Sequence, residues 1–209
     1  MQTRVWLMRH AETANPAVFH GAESDVGLST HGLRQAEAAA EHFARLGPDA
    51  VVSSAMRRAR DTALPIARAC GLELEIEPAL HERRVGALSG SPLVGAAGIW
   101  PETLRRWTAG ETGYAPPGAE SFDDIRARVL PAWERVVARH AGRSVLVVAH
   151  GVVCKVLLVS LLEGRSAADW ESLGRAENMA VSELLGRGGA WRAGRILEVP
   201  EAVARLAKG

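Results

Sequence analysis

Val5-Trp6-Leu7-Met8-Arg9-His10-Ala11-Glu12-Thr13 decides how this chain folds. Four apolar residues suit a buried strand, and Arg9-His10 emerges where the run turns polar. In open α/β sheets, ligands gather outside the carboxyl ends of the strands. A cation beside a histidine at such an end suits an anionic substrate and a nucleophile or acid–base group.

A second stretch repeats the pattern. Val145-Leu146-Val147-Val148-Ala149 is wholly apolar and ends in His150-Gly151. If the two strands are neighbours, His10 and His150 share one crevice. Between them the chain alternates strand and helix signals. Ser29 or Thr30 caps a helix to about Leu46, with Leu33, Ala36, Ala40, Phe43 and Leu46 as its expected apolar face. Gly47-Pro48 stops it, and Ala50-Val51-Val52 is a short strand. Ser53-Ser54 turns into a helix over roughly 55–70. Leu72 to Ile76 alternates as a half-exposed strand does. Ser121-Phe122-Asp123-Asp124 has the form of a capping box with Asp in place of Glu. Its helix places Phe122, Ile125, Val129, Trp133, Val136 and His140 on one face. A helix follows His150, with a short one from Ala167 to Leu173. Two strands, Ala180 to Leu185 and Trp191 to Leu197, close the chain.

This alternation predicts a three-layer α/β/α sandwich with a mostly parallel central sheet. One domain over 1–209 is expected, with a lid-like insertion at about 83–118. Gly86, Gly90, Gly95, Gly98 and Pro116-Pro117-Gly118 mark that insertion as irregular. Trp100 and Trp107 either line the lid or anchor it.

Composition sets the outer bounds. The 209 residues are 47% hydrophobic and 23% charged, with a net charge of +1. This excludes a broad basic footprint for nucleic acid. Cys70 and Cys154 match no disulfide or zinc spacing and read as buried thiols in a reducing compartment. Met1 to Arg4 runs straight into the first strand, with no room for a signal peptide. The most apolar window, Val145 to Leu162, contains His150 and Lys155 and fits a strand and helix better than a membrane span. A cytoplasmic protein is expected.

The turn Ser53-Ser54-Ala55-Met56-Arg57-Arg58-Ala59-Arg60 puts Arg57 in the first turn of its helix. Cations usually favour the other end of a helix. An arginine there makes sense if an anion occupies the site, held by free N–H groups and Arg57 together. A solvated basic face on Arg57, Arg58 and Arg60 is the competing reading.

These motifs carry a resemblance. Arg9-His10-Ala11-Glu12-Thr13 resembles the Arg-His-Gly-Glu-Thr signature of the histidine phosphatase superfamily, the phosphoglycerate-mutase-like fold. Asp25 to Ser29 with Gly32 to Ala36 is similar to the segment that follows. Ser53 to Ala63 resembles the motif Ser-Ser-x-x-x-Arg-Ala-x-x-Thr-Ala. Glu82 with Gly86 and Gly90 matches Glu-x-x-x-Gly-x-x-x-Gly. Pro117 to Ser121 and Val147 to Gly151 complete the set.

The resemblance implies roles. His10 would be the nucleophile that takes a phosphoryl group. Arg9, Arg57 and His150 would hold phosphate, with His150 protonated, and Glu82 would be the proton donor. Asn15 is a candidate phosphate contact, one position early. The five remaining histidines, His20 among them, read as surface or packing residues. Phosphoryl transfer needs mainly positioning and charge neutralisation, so arginine and histidine suffice and no metal or other cofactor is expected. Ala11 stands where glycine is usual, which a positive φ would make a strained site.

Together these residues point to a metal-independent phosphomonoester hydrolase acting on a small phosphorylated metabolite. Phosphosugars, phosphoglycerates, phosphoserine and a cobalamin-pathway nucleoside phosphate are the candidate substrates. A 2,3-bisphosphoglycerate-dependent phosphoglycerate mutase is the alternative, and a non-catalytic phosphate-ligand-binding module a remoter one. No nucleic-acid or membrane partner is expected, and a homodimer stays open.

Overall fold

The computed structural model describes residues 1–92 and 98–208. Gly95, one of the glycines that mark the insertion, lies outside them. The elements run β1 (Thr3–Arg9), α1 (Thr30–Leu46), β2 (Ala50–Ser53), α2 (Arg57–Ala69), β3 (Leu74–Ile76), α3 (Ile99–Thr108), α4 (Phe122–Arg139), β4 (Ser144–Ala149), α5 (Gly151–Leu161), β5 (Val181–Arg187), β6 (Ala190–Ala193) and α6 (Glu201–Ala204). The six strands form one sheet in the order β3-β2-β4-β1-β5-β6. The first four are parallel, whereas β5 runs antiparallel to β1 and to β6.

Strand alternation divides the apolar residues between two cores. Val5, Leu7, Val52, Val145 and Val147 face a core closed by α4 and α5. Trp6, Met8, Val51, Leu146 and Val148 face the opposite core, closed by α1 and α2. The three layers are therefore helix, sheet, helix. Among the described residues no helix is long and apolar enough to cross a membrane.

The α1 face differs from the expected one. Leu33 is 51% exposed, and the buried stripe runs through Gly32, Ala36, Ala39, Ala40 and Phe43. A Cβ on Gly32 would stand 2.1 Å from the carbonyl oxygen of Glu12. Contact at that point is through the backbone, which a count of apolar side chains does not register. The α4 cap is as expected: Ser121 Oγ accepts from the Asp124 N–H, and the Asp124 carboxylate accepts from the Ser121 N–H. The segment Ala167–Asp169 is a 3-10 turn and not a longer helix, and α6 is an element the sequence did not announce. Cys154 is buried but Cys70 only half-buried.

Gly86 fixes the base of the insertion. Its φ is +56°, and a Cβ would lie 2.4 Å from the Pro117 carbonyl oxygen. Gly90, at φ +73°, faces open space. Gly86→Ala is therefore expected to lower unfolding free energy by about 2 kcal/mol or more, against about 1 kcal/mol for Gly90→Ala. Urea unfolding of both variants checks this, and equal losses would remove the steric argument.

Candidate active site

The parallel pairing of β1 with β4 sets Arg9 opposite Ala149. The residues just beyond, His10 and His150, then leave the sheet together. Their rings lie 5.2 Å apart between centroids, edge to face. Both are almost completely buried.

The aim of His10 is fixed from several sides. Its N–H donates to the Ala149 carbonyl at 3.0 Å. Its carbonyl accepts from Asn178 Nδ2 at 3.0 Å. Its ring Nδ1 lies 2.7 Å from the Ala11 carbonyl oxygen. A carbonyl only accepts, so Nδ1 carries the proton and Nε2 keeps its lone pair. Burial, then the charges of Arg9 and Arg58, push the His10 pKa well below its ordinary 6.5. The ring is neutral, the form a nucleophile needs. Ala11 is buried without strain: its φ is not among the positive values, and its N–H donates to Thr62 Oγ1 at 3.0 Å. The backbone conformation there demands no glycine.

His150 is neutral as well, because burial and the charges of Arg58, His10 and Arg9 hold its pKa well down. Those charges act against the protonated imidazole expected for it. Its Nε2 meets Ser54 Oγ at 2.9 Å, while Nδ1 is buried without a partner.

The arginine of the α2 turn is the main correction. Arg57 points away: its side chain is 61% exposed and pairs with Asp61 at 3.3 Å. The anion at that helix N-terminus is the chain's own Asp25, whose Oδ1 accepts the Arg57 N–H at 2.6 Å. Arg58, one residue on, is fully buried, and its charge lowers the pKa of both histidines. One residue rotates about 100° around a helix, enough to exchange solvent for core. Counting from Ser53-Ser54 in the motif places its arginine at Arg58, a signal present in the sequence. Arg58 donates to the carbonyls of Ser24, His20 and Gly21, and its Nε is left unpaired.

A cavity of about 490 Å³ opens beside this cluster, its wall including Arg9, His10, Glu82, Arg83, Trp100 and Lys155 but neither Arg58 nor His150. Arg9 Nη1 donates to the Ala176 carbonyl at 2.7 Å, and its buried Nε has no partner. Glu82 is not in a surface ion pair with Arg83 or Arg84. It is buried, its Oε1 accepting the Arg83 N–H at 2.9 Å. Arg128 holds the loop beneath it, donating to the carbonyls of Ala79, His81 and Glu82 and pairing with buried Glu120 at 2.8 Å. Arg128 and Asn178 were not singled out in the sequence, since neither belongs to a local periodic pattern.

Asn15 is exposed and absent from the cavity wall, where Pro16 stands instead. Its carbonyl accepts from His20 Nε2 at 2.7 Å, so its contribution is to the loop. His20, expected to be a surface or packing residue, does line the cavity. Trp100 lines it too, whereas Trp107 is fully buried and anchors the insertion. Among the described residues no three His, Cys, Asp or Glu side chains are grouped to hold a metal ion.

The mixed sheet with its helices on both faces matches the histidine phosphatase α/β fold, the phosphoglycerate mutase-like class. The chain belongs to the histidine phosphatase superfamily (branch 1), whose family model matches residues 5–198. It is 38% identical over 172 residues to a metal-independent phosphoserine phosphatase of Arabidopsis thaliana, covering 79% of this chain and 71% of that one. It is 40% identical over 166 residues to the bifunctional protein Rv2228c of Mycobacterium tuberculosis. That match covers 78% of this chain but 45% of the relative, so the chain spans less than half the relative's length. The native mycobacterial glucosyl-3-phosphoglycerate phosphatase Rv2419c superposes with a TM-score of 0.82 at 29% identity, covering 96% of this chain and 100% of that one.

Proposed function

We propose that the chain is a metal-independent phosphomonoesterase working through a phosphohistidine at His10. One observation carries the reading. Among the described residues, three around His10 each keep a buried nitrogen without a partner: Arg9 Nε, Arg58 Nε and His150 Nδ1. Buried polar groups are rarely left unpaired, and a cluster of them marks the place of an absent polar ligand. Two guanidiniums and an imidazole suit a phosphate dianion.

His10 Nε2 attacks phosphorus, and the P–O bond to the alcohol breaks as the P–N bond forms. Glu82 gives its proton to the departing alkoxide. Arg9 and Arg58 balance the charge on the phosphoryl oxygens, and His150 gains a proton-holding role once the dianion arrives. Water then attacks the phosphohistidine, losing a proton to Glu82, and inorganic phosphate leaves. Similarity to a metal-independent phosphoserine phosphatase supports a scheme without a metal.

Purified protein in EDTA should hydrolyse 4-nitrophenyl phosphate at mildly acidic pH. Glu82→Gln should slow alkyl phosphates by about 10²-fold or more, and 4-nitrophenyl phosphate far less, since nitrophenolate leaves without a proton. Equal losses on both would exclude Glu82 as the acid. No turnover over a broad phosphomonoester panel would overturn the hydrolase reading, and interconversion of phosphoglycerates dependent on 2,3-bisphosphoglycerate would replace it with a mutase.

A further inference from the structure

Lys155 has no place in the scheme above. It is the one charged residue of α5, whose other side chains are apolar apart from Ser160 and Cys154. It is 7% exposed, and it lines the cavity. Among the described residues it makes no hydrogen bond and no ion pair. Its only close polar-type contact is with a ring: Nζ sits 4.5 Å from the centroid of Trp170. Burial lowers its pKa, and Glu171, also in the cavity wall, acts against this from a distance.

Arg83 is a second case. It also lines the cavity and is buried. Its guanidinium lies 4.9 Å from the ring centroid of Trp100 and 5.0 Å from that of Trp107. Nε donates to the Glu120 carbonyl at 2.9 Å, and Nη2 is buried without a partner. Trp100, Trp107 and Trp170 pack on one another edge to face. One tryptophan cluster thus carries two desolvated cations beside the cavity. Ring faces soften the loss of water around a cation but leave its hydrogen-bond donors unsatisfied. The carboxylates of Glu82, Glu120 and Glu23 act on the charge of Arg83, and that of Glu171 on Lys155. Stability alone gives no reason to keep a lysine there, where a methionine would pack as well. A ligand anion does.

We propose that Lys155 and Arg83 form a second anion subsite, so that the substrate is a phosphomonoester whose leaving alcohol carries its own anionic group, a carboxylate or a second phosphate. This rests on the phosphatase reading for the place of the first phosphate. Lys155 stands against Trp170 and lines the cavity. Bound, the second anion pairs with the ammonium and takes the unpaired Arg83 donor. The first phosphate is then fixed at two points, and the alcohol is oriented towards Glu82.

Matched substrates test it. Phosphoserine is compared with phosphoethanolamine, and 3-phosphoglycerate with glycerol 3-phosphate; each pair differs in one carboxylate. Fructose 1,6-bisphosphate against fructose 6-phosphate tests a second phosphate in the same way. In at least one pair the wild type should prefer the more anionic member by tenfold or more in kcat/KM. Lys155→Met should shrink that preference by tenfold, chiefly through KM, and Lys155→Arg should retain most of it. A preference near one in all three pairs overturns the subsite without need of any variant. So does a preference that survives Lys155→Met. Binding of the same pairs to His10→Ala protein by calorimetry gives a readout independent of turnover. A preference in binding with no hydrolysis by wild type would keep the subsite and overturn the phosphatase reading. Hydrolysis of 4-nitrophenyl phosphate with no preference in any pair would do the reverse.

Discussion

Replacing His10 by alanine should reduce kcat on any phosphomonoester by about 10⁴-fold or more, the scale of losing a covalent nucleophile. The loss is expected in kcat because the proposed phosphate ligands remain in place. Arg9, Arg58 and His150 are held by contacts that do not pass through the imidazole. Arg9 is fixed by the Ala176 carbonyl, Arg58 by three carbonyls of the first loop, and His150 by Ser54. Substrate affinity should stay within a few-fold of wild type. The same variant should fail to retain acid-labile label after quenching with ³²P-substrate, where wild type is labelled in a burst. The geometry narrows the labelled atom as well. With Nδ1 donating to the Ala11 carbonyl at 2.7 Å, only Nε2 is free to attack. Phosphohistidine recovered from the digest should be the Nε2-linked isomer. An Nδ1 adduct, or label that persists in His10→Ala, would remove His10 from the role proposed for it.

The strand ends that build this site are legible in the sequence for a simple physical reason. A strand buried on both faces must be apolar throughout, so the polar residue that ends it stands out. Val5 to Met8 and Val145 to Ala149 are such runs, and their parallel pairing brings His10 and His150 together. Position on a helix is harder to read. A strand residue assigned to the wrong face is two-fold wrong and easily noticed, but a helix offers a new face every 100° or so. Arg57 and Arg58 have the same composition and charge, and only a count from Ser53-Ser54 separates them. Packing that runs through the backbone is less visible still. Gly32 and Ala39 bury the seam of α1 while Leu33 is exposed, because close approach there favours the absence of a side chain. Asn178 and Met179 close the site from the far end of the chain with no local signal. Met179 adopts φ +64°, and its N–H reaches the Arg9 carbonyl at 3.2 Å. Such a conformation in a bulky residue is imposed by its surroundings, which a local reading does not contain.

The choice between the two arginines yields the second large effect. Arg58→Ala should lower kcat/KM by about 10²- to 10³-fold, the cost of one preorganised charge aimed at a developing anion. Arg57→Ala should change it less than about threefold, since an exposed i, i+4 pair with Asp61 contributes about 0–1 kcal/mol and nothing to the cavity. Arg58 also ties down the loop that carries His20, so its removal leaves the carbonyls of Ser24, His20 and Gly21, the last of them buried, without that donor. Some of the lost activity will therefore come with lost stability, expected at about 2 kcal/mol or more. Two measurements separate these contributions. Guanidinium ion, added at concentrations below those that denature the variant, should restore part of the rate in Arg58→Ala and none in His10→Ala, because only the first lacks a cation that solution can return. Inorganic phosphate should raise the melting temperature of wild type and of Arg57→Ala alike, and that of Arg58→Ala far less. If Arg57→Ala instead carries the larger loss, the phosphate lies at the exposed N-terminus of α2. The three unpaired nitrogens beside His10 would then need another explanation.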